Sequence, residues 1–376
     1  MDFTLNEEQE MLKKSAQDFL KNECGPKVLK ELEESETGFS RKLWESMAGL
    51  GWMGIIVPEA YDGVGLTLLD LAVLFEAYGR AALNGPMLGT VIGTLATLEG
   101  GSEDGKAERL PQVVSGQRVW TFAMEEAEVA YDPACVATRA VSTEKGYKIQ
   151  GTKLFVPYAN VADDLFVVAK TEGSAGDEGE VAIFVVNKDA PGIHLGALKP
   201  MAGDKQFQVD FHDVPVSPED RLGAGEGGLE LVLSLLGKAT AIQCAEMVGG
   251  AEYELEITAE YCRTRVQFDR PIGTFQAVQH RLADMYMDVL GARLTTYQAL
   301  WRLSEGMPAA REVAIAKAFT SKAVRRVAFS AQQLHAGMGY DLDHELHYYY
   351  RRAKALELKM GTVPAQLRAL HPVLGV

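Results

Sequence analysis

The chain has 376 residues, 47% of them hydrophobic and 24% charged. That length suits two or three domains of ~100–200 residues, and the composition excludes a disordered or low-complexity protein. Lys and Arg total 37 against 52 Asp and Glu, a formal net charge of −15, which works against nonspecific binding to nucleic acid or to an anionic bilayer.

The N-terminal stretch MDFTLNEEQEMLKK is acidic and amphipathic. Neither an export signal nor a membrane anchor is expected, and no apolar run approaches the ~18 residues of a bilayer span. From residue 6 to about 116 apolar residues recur three and four apart, as in Leu43, Met47 and Leu50 and again in Leu68, Leu71, Leu74 and Phe75. This is the period of amphipathic helices. PEAYDGVGLTLLD reads as a loop followed by a new helix, with Thr67 as N-cap and Asp70 in the first turn.

Between about 119 and 216 the pattern changes to alternation or short apolar runs: GYKIQG, DLFVVAK, EVAIFVV, GIHLGAL and QVDFHDV. A small antiparallel β domain follows. EGSAGDEGE, from Glu172 to Glu180, is a polar glycine-rich hairpin loop. After RLGAGEGG the helical period returns, with long segments at about 227–263, 276–305, 309–335 and 343–359. Helices of that length need long partner surfaces, so a bundle is expected.

Four cysteines, Cys24, Cys135, Cys244 and Cys262, form no CxxC pair. Neither a disulfide framework nor a thiolate metal site is expected, and a reducing cytoplasm suits the chain. The histidines, among them His335, His344 and His347 in QLHAG and HELH, lack the HExxH spacing that puts two imidazoles on one helix face. The basic islands CRTR and YRRAK read as solvated helix faces.

Three blocks, MGIIVPEAYDGVGL, RTRVQFDRPIGTFQ and QQLHAGMGYDLDHELHYYYRRAKALELKMGT, resemble the acyl-CoA dehydrogenase family, and the match runs along the whole chain. The resemblance implies an α+β, mostly α fold: an N-terminal helical domain at 1–116, a middle antiparallel β domain at 117–225 and a C-terminal four-helix bundle at 226–376. It also implies α,β-dehydrogenation of an acyl-CoA thioester, in which a carboxylate removes the α proton and the β hydrogen leaves as hydride to FAD. An α proton beside a thioester is weakly acidic, so a positioned base and carbonyl-polarising donors are required.

The same resemblance distributes the site. Arg265, Phe268 three residues later and Gln276 eleven residues after Arg265 keep the spacing of the family's FAD-contacting segment; a planar guanidinium suits a pyrophosphate. Gln333, Leu334, His335, Ala336 and Gly337 match the segment that approaches the adenosine part of FAD, with Ala336 in place of a usual Gly and Gly337 also suited to capping a helix. In the family these elements reach the FAD of a neighbouring subunit. Phe155 keeps the aromatic wall of the flavin ring, but Pro157 stands where a hydroxyl residue donates to flavin N5, and proline has no hydrogen to give. In FAMEEAEVAYD, Glu125 and Glu126 are expected beside the ring, where negative charge opposes reduction.

The family's catalytic Glu precedes Gly-Thr, and here that position is Met360, before Gly361 and Thr362. The alternative base position, on the first long C-terminal helix, matches Ala239 or Thr240; neither is acidic. Glu357 is the remaining candidate. Elements that act within the subunit are degraded, while those that act on a neighbour's FAD tail are kept. The expectation is a base-lacking, flavin-supporting subunit of a heteromeric acyl-CoA dehydrogenase. It would work with an acyl-CoA substrate, a homologous partner chain, FAD shared across the interface, and electron-transfer flavoprotein or a similar acceptor. A self-sufficient flavoenzyme with an unrecognised base or with lyase or reductase chemistry stands as the alternative, as does a flavin-free scaffold.

Overall fold

The computed structural model of the protein describes residues 4–127, 131–172, 179–223 and 227–374. The chain begins with α1 (Glu7–Glu23), α2 (Pro26–Glu34), α3 (Arg41–Gly49), α4 (Leu68–Arg80), α5 (Met87–Gly100) and α6 (Glu103–Val114). The strands β1 (Trp120–Ala123), β2 (Arg139–Thr143), β3 (Gly146–Pro157), β4 (Asp164–Glu172), β5 (Val181–Asn187), β6 (Ile193–Leu198), β7 (Gln206–Val216) and β8 (Arg221–Leu222) follow. The last part holds α7 (Gly228–Thr264), the short strands β9 (Val266–Gln267) and β10 (Arg270–Pro271), α8 (Gln276–Ser304), α9 (Ala310–His335), α10 (Leu346–Leu358) and α11 (Val363–Leu374). This is the expected order of helices, strands and helices. The helical pattern read to the chain end divides into α10 and α11, because Met360 and Gly361 both take positive φ, 56° and 84°, and interrupt the backbone ladder.

Contacts gather the elements into two compact units, one of Met1–Lys30, Thr67–Leu83 and Thr240–Val376 and the other of Glu31–Leu66 and Asn84–Ala239. In the first unit Leu68, Leu71, Leu74 and Phe75 of α4 are buried as their spacing predicts. Asp70 accepts from both the backbone N–H (2.8 Å) and the hydroxyl (2.6 Å) of Thr67, which fixes the start of α4. α4 and α7 cross in backbone contact. A Cβ on Gly79 would meet the Glu246 carbonyl oxygen at 1.9 Å, and one on Gly249 would meet that of Glu76 at 1.9 Å, so only glycine admits this approach. Met247, Met285, Val289, Val324, Val327, Leu346 and Leu356 form a core shared by α7, α8, α9 and α10.

The second unit holds the sheet, in the order β6-β7-β3-β2-β4-β5-β8 with β1 on β4. Most pairs are antiparallel, but β1 and β2 lie end to end along one edge of β4, both parallel to it. Ile149, Leu165, Val167, Phe184, Val209 and Phe211 fill its core. In α3 the buried residues are Trp44, Met47 and Ala48, whereas Leu50, read as part of the apolar stripe, is the exposed C-cap. Most of the loop at 172–180, together with residues 128–130 of the flavin segment and 224–226, lies outside the described residues.

One helix departs from the expectation that no segment reaches spanning length. A window of α7 has mean hydropathy 1.4, yet 72% of it is buried inside the protein. Its apolar surface serves the protein core.

Candidate functional site

In the sheet unit the flavin segment folds onto its own strands. Lys153, fully buried on β3, donates to Glu126 Oε1 at 2.6 Å and to the Met124 carbonyl at 3.1 Å. Glu126 also accepts from the N–H groups of Ala137 (2.7 Å) and Thr138 (3.0 Å) and from the Thr138 hydroxyl (2.6 Å). Burial pulls the Lys153 ammonium down to about 8 in spite of Glu126. Burial acts to raise the Glu126 carboxyl, but Lys153, Thr138 and Ala137 outweigh it and hold the group below the usual range. This corrects one expectation: the charge on Glu126 is matched by Lys153. Sequence reading missed the pair because Glu126 lies in the loop after β1 and Lys153, 27 residues on, lies on β3.

Between Lys153 and Val156 the register of β3 against β7 shifts. At this bulge Phe155 takes φ 54° and stands 51% exposed, as bulges re-aim a side chain. The Pro157 carbonyl accepts from the Thr121 hydroxyl at 2.5 Å. Pro157 itself has no donor to offer, as the sequence requires.

In the other unit α7 runs into the β9–β10 hairpin, which is closed by the Ile272 N–H on the Arg265 carbonyl at 2.9 Å. The Arg265 side chain is exposed and makes no ion pair among the described residues. Phe268 is 86% exposed, its ring edge-on to Phe275 at 6.1 Å, and Gln276, also exposed, opens α8. Within QLHAG the residues diverge. Gln333 faces outward, Leu334 packs on the bundle core, and His335 is 1% exposed. The His335 ring stacks on Tyr261 at 4.5 Å and 22°. That contact brings together the ends of α7 and α9, and with them the second and third sequence blocks. The expected cap at Gly337 is displaced: the C-cap is Ala336, with φ 53° and ψ −128°.

Met360 is half-buried beyond the end of α10, and its carbonyl accepts from Gln366 Nε2 at 3.0 Å. The Thr362 carbonyl accepts from the Gln366 N–H, also at 3.0 Å, at the start of α11. Glu357, the remaining candidate, has its carboxylate held by Lys354 at 3.1 Å and Arg325 at 3.8 Å. Ala239 and Thr240 are buried. A group that sequence reading missed lies beneath this region. Lys317 of α9, fully buried, donates to the Leu356 carbonyl in the last turn of α10 (2.5 Å) and to Gln243 Oε1 (2.8 Å). Burial pulls its ammonium down to about 8. Among the described residues no group of three or more His, Cys, Asp or Glu could hold a metal ion.

Residues 6–117, 121–214 and 226–374 match, in turn, the N-terminal, middle and C-terminal domains of acyl-CoA dehydrogenase. The chain belongs to the acyl-CoA dehydrogenase family. It is 34% identical to acyl-CoA dehydrogenase FadE27 of Mycobacterium tuberculosis over 98% of both chains. It is 31% identical to acryloyl-CoA reductase (NADH) of Anaerotignum propionicum, over 96% of this chain and 93% of that one. A chain in the crystal structure of the ChsE4-ChsE5 complex from Mycobacterium tuberculosis superposes with a TM-score of 0.92 at 34% identity, covering 100% of this chain and 99% of that one.

Acyl-CoA dehydrogenases are FAD-dependent oxidoreductases that act on the CH–CH group of an acyl-CoA. The flavin, when bound, supplies the hydride acceptor. In this family member the exposed Arg265, Gln276 and Gln333 suit an anionic dinucleotide tail. Pro157, which the resemblance sets at the position of the N5 donor, has no hydrogen to give.

Proposed function

We propose that this chain is the base-lacking, flavin-supporting subunit of a heteromeric acyl-CoA dehydrogenase, with 1–116, 117–225 and 226–376 as its three domains. The observation that carries the reading is Met360, a thioether that cannot take a proton from carbon, at the position of the family's base. Glu357 does not replace it, since Lys354 and Arg325 hold its carboxylate in place. The likeness to a chain of the ChsE4-ChsE5 complex supports a two-chain assembly.

In this reading a homologous partner carries the carboxylate that removes the α proton of the acyl-CoA. This chain contributes Arg265, which pairs with anionic oxygens of the partner's FAD, along with Phe268, Gln276, Gln333 and the backbone of Ala336 and Gly337. Electrons leave to an electron-transfer flavoprotein or a similar acceptor. The unpaired cysteines suit a reducing cytoplasm.

Purification of the assembly from its native source, followed by an absorbance spectrum, tests the proposal. A colourless chain alone and a yellow complex with a second homologous chain are expected. A yellow homo-oligomer that reduces or dehydrogenates an acyl-CoA unaided overturns the reading in favour of a self-sufficient enzyme, the alternative that the likeness to acryloyl-CoA reductase supports. A chain that stays colourless in every assembly marks a scaffold.

A further inference from the structure

Where α7 and α9 end, Glu260, Tyr261, Thr264, His335, His344 and Glu345 line an open surface pocket of about 560 Å³. Carboxylates set its character, with the Tyr261 hydroxyl and a ring N–H of His344 as donors among them. His335 Nδ1 lies 2.9 Å from the Ala331 carbonyl, so that nitrogen carries the proton and Nε2 presents a lone pair. Nε2 is buried without a partner. Glu345 accepts the Tyr253 hydroxyl through Oε1 at 3.1 Å, which leaves Oε2 able to accept. Glu260 is met by Arg263, an exposed side chain, and the Thr264 hydroxyl turns to the Glu260 carbonyl at 3.0 Å. Glu256, also on the wall, is held by Arg80.

A metal ion does not suit this set. His344 Nδ1 accepts the Leu346 N–H at 3.2 Å, which puts the His344 proton on Nε2 and removes that nitrogen as a ligand. An anion would meet the carboxylates of Glu256, Glu260 and Glu345. What fits is a positively charged group with several N–H donors in one plane, which is a guanidinium.

The loop between His335 and His344 supplies the surround. Met338, Tyr340 and Leu342 stand 42%, 71% and 72% exposed. Apolar and aromatic side chains around a desolvated charged anchor are the composition of a protein interface core.

We propose that this pocket receives an arginine side chain of the partner subunit, with Met338, Tyr340 and Leu342 packed around it. The inference rests on the heteromeric reading and names where the two chains interlock.

The test uses the complex of this chain with the homologous partner that co-purifies with it. In the double variant Glu260→Gln, Glu345→Gln the dissociation constant of the complex is expected to rise on the order of 30-fold or more. The Asp variants at both positions, which keep the charge, should recover most of that loss. Should the double variant lose its melting transition, the salt dependence of wild-type assembly decides instead, because an ionic anchor weakens as ionic strength rises. Unchanged affinity in a folded double variant, or affinity independent of salt, overturns the interlock and leaves the heteromeric reading standing. A chain that forms no complex with a homologue overturns both.

Discussion

The two regions that the family resemblance assigns to the flavin use their polar groups in opposite ways. Around β3 the groups satisfy one another: Lys153 holds Glu126, Glu126 takes three further hydrogen bonds, and the Pro157 carbonyl is taken by Thr121. At the β9–β10 hairpin and the end of α9, Arg265, Gln276 and Gln333 point outward. A segment whose donors and acceptors are paired internally has little left for a ligand. An exposed guanidinium loses little when it exchanges water for phosphate oxygens. The contrast is between a region paired within itself and one whose polar side chains are exposed, and it yields tests on both sides.

The largest effect is expected where the pairing is buried. Lys153→Ala leaves the Glu126 carboxylate inside the protein without its ammonium, which should destabilise the fold by ~3–5 kcal/mol in urea unfolding. Adding Glu126→Gln should recover part of that loss. A single variant within 1 kcal/mol of wild type would show that the pair is not structural.

Lys317 sharpens the contrast from the bundle side, since it is equally buried but bound to a carbonyl and an amide rather than to a carboxylate. Its folded value is about 8, against an ordinary lysine value of 10.5. Between those values the unfolded chain binds more protons than the folded one, so stability rises with pH across the window, by on the order of 3 kcal/mol. Lys153 contributes a rise of its own, so the difference between wild type and Lys317→Met is the informative quantity. Lys317→Met should reduce the rise and be the more stable protein at pH 7. Parallel stability curves from pH 7 to 10.5 would contradict this.

On the outward side, Arg265→Ala removes charge-assisted bonds worth ~1.5–3 kcal/mol, so flavin retention by the assembled protein should weaken by ~10–100-fold. Unchanged retention in that complex would remove Arg265 from the tail site.

Helix periods and the start of α4 were legible because their signals are local: the stripe of Leu71, Leu74 and Phe75, and Thr67 three residues before Asp70. The bundle helices were placed to within a few residues for the same reason. The parallel pairing of β1 and β2 with β4 was not legible, since strand order depends on contacts far apart in sequence. The same limit hid the site's internal pairings. Glu126 in the loop after β1 meets Lys153 on β3, and Tyr261 reaches His335 from another helix. His335 therefore looked like an outward contact in the sequence and is a buried one in the fold. Met360 could be read directly, because a missing carboxylate is a fact of the residue and not of its neighbours.

The smallest expected effect falls at the strained end of α9. Ala336, with φ 53° and ψ −128°, occupies a conformation that glycine adopts freely and a Cβ opposes, at a cost of ~1–3 kcal/mol. The following Gly337 does not take a positive φ, so the strain is not passed to the residue best able to bear it. Two contacts fix the turn: His335 is held by Tyr261 on one side, and the Ala336 N–H bonds the Gln332 carbonyl on the other. Ala336→Gly relieves the strain but adds ~0.5–1 kcal/mol of backbone entropy to the unfolded chain. The net expectation is a gain of about 1 kcal/mol, read as a higher melting temperature. If flavin retention in the complex stays unchanged while stability rises, the strain is a packing consequence of the buried histidine. If retention falls, the strained carbonyl of Ala336 is itself positioned for the partner's dinucleotide, and the outward region extends one residue further into the turn. A less stable Ala336→Gly protein would contradict the strain argument outright.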